Sequence, residues 1–138
     1  MIEFRAFDPG TDSIDELASM NEWPPQAQAA FADALRRRFV IPSNALVAVE
    51  DGHIIAAALI MDGGFPFAIL DGVYIRPDHR SVEFYNECRK AAERYMRERG
   101  VIFFFSHVPE QFAHVLVERS DYRKISNEPF TLLLRQLS

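Results

Sequence analysis

A strand that runs through a glycine-free turn into a long amphipathic helix constrains this chain more than any other feature. Val73-Tyr74-Ile75 reads as strand, Arg76-Pro77-Asp78-His79-Arg80-Ser81 as the turn, and Val82 to Arg99 as helix. Tyr85, Cys88, Ala92, Tyr95, Met96 and Arg99 recur at helical spacing, while Glu83, Asn86, Glu87, Lys90, Glu93, Arg94 and Arg97 fall on the outer face. Gly100 fits the position just past the helix end. A junction of this kind usually makes an anion site, because unpaired N–H groups and a partial positive charge gather at a helix start. Loops that cradle phosphate normally carry glycines so that the backbone can approach. Here Ser81, Val82, Glu83, Phe84 and Tyr85 put bulky side chains and one carboxylate in that place.

The flanking sequence supplies the other elements. Ile2 to Phe7 reads as a first strand, and Ser13-Ile14-Asp15-Glu16 is a capping box that starts a helix at Ile14. Asn21-Glu22-Trp23-Pro24-Pro25 ends that helix, and Pro25 opens a second one through Phe39, closed by Pro42. Ala45 to Glu50 and His53 to Met61 form a hairpin across Asp51-Gly52, and Gly63-Gly64 turns the chain into a third strand, Phe65 to Ile75. After the long helix, Val101 to Ser106 is a continuous apolar run, as expected of a central strand buried on both faces. Pro109 to Arg119 reads as a short helix, and Arg123 to Ile125 with Phe130 to Leu134 as a closing hairpin.

Composition sets the outer bounds. The 138 residues suffice for one domain, 1–138, with 49% hydrophobic and 25% charged residues. No apolar run approaches the roughly 18 to 20 residues that span a bilayer, and Met1-Ile2-Glu3-Phe4-Arg5 lacks the pattern of a signal peptide. The expected location is therefore the cytoplasm. A net charge of -5 argues against a general nucleic-acid surface. The Arg36-Arg37-Arg38 run reads as a charge cluster at a helix end. Cys88 has no partner for an internal disulfide and falls on the core stripe, and four scattered His show no metal-ligand spacing, so no metal is expected.

The element order, together with the Val-Tyr-Ile-Arg-Pro-Asp-His-Arg run at 73–80, resembles the GCN5-related N-acetyltransferase (GNAT) superfamily. The resemblance covers nearly the whole chain and implies an α+β fold: a mixed, mostly antiparallel central sheet flanked by helices. It also implies acetyl-CoA as the cofactor of an active member. Tyr74 and Ile75 would hold the pantetheine arm through their backbone, and Arg76 or Arg80 would meet phosphate. In the family the turn reads Arg or Gln, two residues, Gly, one residue, then Gly or Ala. Anchored on Arg80, those small residues fall on Glu83 and Tyr85. A carboxylate about 5 Å from a phosphate charge costs on the order of 3 kcal/mol at an effective dielectric of about 20. Tyr85 adds bulk. The rival reading of Glu83 is structural, since an acidic residue in a first turn stabilises the helix by roughly 0.3 to 1 kcal/mol.

A second family signature, set on Tyr122, places Val117 where many relatives carry the tyrosine that protonates the departing thiolate. Val117 has no proton to give, and Tyr122 reads as a core aromatic. Asp71 and His107 are the candidate general bases; against that role, Asp71 can serve a strand irregularity with Gly72 and His107 can cap the following helix. His79 reads as a solvated loop residue.

Three functions follow as expectations. The first is a GNAT-fold protein that has lost acetyl transfer, needs no cofactor and works as a binding or assembly module with a protein partner. A narrower resemblance to GNAT-like virion proteins of short-tailed bacteriophages would place it in a virion. The second is a divergent N-acetyltransferase acting on an unknown amine. The third is a small-ligand sensor with Trp23 and Phe65 near the mouth of its cleft. GNAT domains often pair, so a homo-oligomer is compatible with any of them.

Overall fold

Ser13 sets the first helix. Its Oγ accepts the Glu16 N–H at 3.2 Å, and α1 (Ile14–Ala18) starts where the capping box predicts. The Glu16 carboxylate reaches a strand, where it accepts the Ile54 N–H. The computed structural model describes residues 1–20, 23–38, 45–62, 67–109, 116–118, 122–127 and 130–137. Within them the chain forms β1 (Glu3–Ala6), α1, α2 (Pro25–Arg38), β2 (Ala45–Glu50), β3 (His53–Asp62), β4 (Phe67–Ile75), α3 (Val82–Glu98), β5 (Phe103–Pro109), β6 (Arg123–Asn127) and β7 (Phe130–Gln136). The strands follow the order β1-β2-β3-β4-β5-β7-β6. The sheet is mixed: β4 and β5 run parallel, whereas β1–β2, β2–β3, β5–β7 and β6–β7 are antiparallel. This is the α+β arrangement expected from the sequence. The predicted turn at Gly63-Gly64, the stop at Pro42, and Phe65 lie outside the described residues.

The chain gathers into two compact units. The first comprises Met1–Leu59 and Val73–Ala92. Its hairpin turns at Asp51 and Gly52, whose φ angles of 52° and 80° are the paired positive values that a tight two-residue turn requires. Side chains on successive strand residues face opposite ways, and both faces of β2 and β3 are covered. One face packs Val47, Ile54 and Ala57 with Phe7, Leu17, Met20 and Leu35, the last three from the helical region of α1 and α2. The other packs Ala48, Ile55 and Ala56 with Ile75, Phe84 and Cys88, so α3 covers it. That double cover agrees with the burial of every position from Ile54 to Leu59. At the rim, Arg5 and the nearly buried Asp12 form a two-pronged ion pair at 2.6 and 2.7 Å.

The second unit comprises Ile60–Gly72 and Glu93–Ser138. Here α3 ends in a glycine cap: Gly100 has φ 85°, the Gly100 N–H donates to Arg97 O and the Val101 N–H to Met96 O, both at 3.1 Å. β5 differs from the reading of the sequence. It begins at Phe103, and it continues through Pro109, which stands opposite Phe130 of β7. The helix predicted from Pro109 therefore starts later, with residues 116–118 helical among those described. A proline has no N–H to lose and is tolerated at a strand end. β5 is also not buried on both faces alike. Phe104 is buried and meets Tyr122 edge-on at 5.8 Å, whereas Phe103 and Phe105 are half-buried and pack on Phe67. Glu93, expected outside, is buried and accepts from Arg135 Nε of β7 at 2.7 Å.

Candidate functional site

The turn from β4 to α3 is held from within. Arg76 N–H donates to Ile55 O at 2.9 Å, which points the Arg76 amide toward β3. Amide and carbonyl directions alternate along a strand, so the Ile75 carbonyl points the opposite way. Arg80 Nε donates to that carbonyl at 3.0 Å, and Arg80 Nη2 lies 3.4 Å from Met20 O. The proposed phosphate ligand is thus bound to its own chain. Arg76, the other candidate, donates to Asp78 Oδ2 at 3.0 Å and keeps a partly exposed guanidinium.

Ser81 caps α3 with its own side chain. Its Oγ accepts the Phe84 N–H at 3.0 Å, and its carbonyl accepts the Tyr85 N–H at 3.0 Å. The Phe84 amide is one of the donors a helix start offers an anion, and here Ser81 takes it. Glu83 is exposed in the first turn, beside exposed Val82. Tyr85 does not project freely into the turn. It packs on the α3 side of the sheet together with Ile2, Phe4 and Val73, and burial pushes its phenol pKa up. The small residues of the family motif are therefore replaced by a solvent-facing carboxylate and a packing aromatic.

The other sequence candidates fall as follows. Tyr74 meets Phe31 at a tilt, ring centroids 5.4 Å apart, and Phe31 in turn meets Trp23 at 5.2 Å. Phe84 is buried, and Phe67 is half-buried and stacks on Phe103. Asp71 lies on β4 and His107 on β5. The parallel ladder between those strands runs from Phe67↔Phe103 to Leu70↔Ser106, so Asp71 and His107 are the next residues beyond its last pair. The register brings the two candidate bases to one level of the sheet. Val117 is exposed, and Tyr122 is buried as a core aromatic. Burial pushes the Cys88 thiol up to about 12, which keeps it protonated and unreactive.

His79 corrects the sequence reading. Rather than a solvated loop residue, it lies between two carboxylates, with Nδ1 2.9 Å from Asp78 Oδ1 and Nε2 3.0 Å from Glu50 Oε1. The Asp-His dipeptide hints at the first contact, but Glu50 is 29 residues away and gives no local signal. Arg36 and Arg37 are paired with Asp15 and Asp33, each at 2.7 Å, which leaves less of a basic surface than the run of three suggests. Among the described residues no group of three His, Cys, Asp or Glu is placed to hold a metal ion, and no helix is long and apolar enough to cross a membrane.

A mixed sheet with a strand–turn–long helix at its centre defines the class of protein. Residues 9–122 match the model of the Acetyltransferase (GNAT) family, and the chain belongs to that family. Among solved structures it is similar to an aminoglycoside 6′-N-acetyltransferase complexed with coenzyme A (TM-score 0.78, 12% identity, covering 99% of this chain and 97% of that one). It is also similar to the PaiA N-acetyltransferase from Thermoplasma acidophilum in complex with coenzyme A (TM-score 0.74, 11% identity, covering 99% of both chains). At such identities the likeness is one of fold. A sequence search of curated proteins finds no significant match.

Proposed function

We propose that this GNAT protein has given up acetyl transfer and works as a binding or assembly module for a protein partner. One observation carries the reading: the helix start that would hold a pyrophosphate has its Phe84 amide and its nearest arginine already engaged by the chain itself. Ser81 takes the Phe84 amide, Arg80 is drawn to Ile75 O and Met20 O, and Glu83 adds a negative charge. The residues present do not fit the group. Isothermal titration of acetyl-CoA into the wild type and into a Glu83→Gly, Tyr85→Gly double mutant tests this. The expected result is no heat with the wild type and binding with the mutant. Micromolar binding by the wild type would overturn the proposal. A virion of a short-tailed phage is one setting for such a module, and co-purification with a head or tail complex checks it.

Family membership supports a second reading, an N-acetyltransferase acting on an amine with acetyl-CoA. Asp71 or His107 would then serve as the base that takes the amine proton. Turnover of acetyl-CoA against an amine panel, lost in Asp71→Asn or His107→Gln, would favour it. Absence of turnover across the panel, with no coenzyme binding, returns the choice to the assembly reading.

A further inference from the structure

A neutral imidazole carries one N–H, and an ionised carboxylate only accepts hydrogen bonds. Both ring nitrogens of His79 lie within hydrogen-bond distance of carboxylate oxygens, at 2.9 Å from Asp78 and 3.0 Å from Glu50. Both contacts are hydrogen bonds only when the ring bears two protons. We infer that His79 is a protonation-dependent strut, which as imidazolium ties the turn ahead of α3 to the end of β2 and as neutral imidazole lets go of one of its two carboxylates.

The surroundings fit that role. The turn is short: Pro77–His79 form a single 3-10 turn in which the His79 N–H donates to Arg76 O at 2.9 Å. Arg76 holds the second Asp78 oxygen at 3.0 Å, so Asp78 is fixed in place for the ring. From α3 the neutral Phe84 ring lies 6.4 Å from the imidazole, and Phe84 in turn meets Phe4 of β1 at 6.5 Å. Among the described residues, the charged groups in contact with His79 are Glu50 from β2 and Asp78, backed by Arg76, from its own turn. When the ring loses a proton, one nitrogen lone pair meets a carboxylate oxygen, and an attraction becomes a repulsion. The carboxylates also set where the change falls. Asp78's hydrogen bond first, and Glu50's second, hold the imidazolium pKa above its ordinary value. The strut is complete below about pH 6.5, the unfolded value, and is lost as pH rises through the higher folded value. Nothing in this device depends on whether a coenzyme binds.

The test is an NMR titration of the His79 ring in the full chain, assigned with His79→Gln and repeated in Glu50→Gln. In the wild type both ring nitrogens should be protonated at pH 6, with a midpoint above about 6.5. In Glu50→Gln the midpoint should move down. Amide exchange of residues 76–84, corrected for intrinsic rates, should lose protection across the wild-type midpoint and show no such step in His79→Gln. A wild-type midpoint at or below about 6.5, or protection that does not follow the ring, would overturn the inference. If Glu50→Gln fails to fold by circular dichroism, the wild-type titration and its exchange profile still decide.

Discussion

Arg80 stands where a family motif would read a phosphate ligand, and its guanidinium lies on two carbonyls of its own fold. Hydrogen bonds from a charged donor contribute about 1.5 to 3 kcal/mol each, less where solvent competes. Arg80→Ala should therefore lower stability by about 1 to 3 kcal/mol, read from the urea midpoint, whereas a purely ligand-facing arginine would leave it within about 0.5 kcal/mol. Arg80→Lys should recover only part of the loss, since a single ammonium cannot span both acceptors in the fixed fork of a guanidinium. Cys88 offers a second check at this scale. With its thiol pushed up to about 12 behind Phe84 and Ile55, it should resist a thiol reagent at pH 8 and react at the unfolded rate once urea is added. Rapid labelling of the folded chain would show that α3 opens easily from the sheet. The identity of these residues was legible from the sequence, but their partners were not. Met20 is 60 residues from Arg80, and no local pattern predicts that contact.

At the scale of elements, α3 was the most legible part of the chain because its signals are local. Apolar spacing, an acidic first turn and a terminal glycine all lie within the helix or two residues of its ends, and the observed Val82–Glu98 follows them. What went unseen came from other strands. Glu93 is inward because Arg135 waits 42 residues later on β7, and β5 extends to Pro109 because β7 offers Phe130 opposite it. The capping box was half legible for the same reason: Ser13 caps as read, while the Glu16 carboxylate answers the Ile54 amide on β3. The candidate site shares this divide. Glu83 and Tyr85 could be matched to family positions from the sequence, whereas Tyr85's packing against the core cluster of Ala48, Ile55, Ile75 and Phe84 depends on the sheet behind it. Ser81→Ala removes the cap of α3 and should cost about 0.5 to 2 kcal/mol in thermal or urea unfolding. It also frees the Phe84 amide. If the cap is what competes with an anion, acetyl-CoA affinity should rise in Ser81→Ala; unchanged affinity would place the obstacle at Glu83 and Tyr85 alone.

Over the whole molecule, two buried or half-buried polar contacts give opposite pH dependences, so stability should peak between them. Arg5's hydrogen bonds hold the Asp12 carboxyl below its ordinary value, despite partial burial that opposes the shift. A depressed carboxyl contributes stability above its unfolded pKa, about 3.9, and loses that contribution as pH falls through the folded value. His79 has the reverse sign: its raised pKa contributes stability below about 6.5 and loses it as pH rises. The urea midpoint should therefore be highest at about pH 5 to 6 and decline on both sides. The two limbs can be separated. Asp12→Asn removes the ion pair with Arg5, should cost about 1.5 to 3 kcal/mol near the optimum, and should shrink the acid limb while the alkaline limb keeps its wild-type slope. Glu50→Gln should do the opposite, flattening the alkaline limb around the His79 midpoint and leaving the acid one. The variants lie at separate places in the first unit and share no partner among the described contacts, so their effects should add in the double mutant. A wild-type midpoint that does not change between pH 6 and 9 would mean that His79 titrates alike in the folded and unfolded chain. The contacts from Glu50 and Asp78 would then contribute nothing to holding the turn ahead of α3.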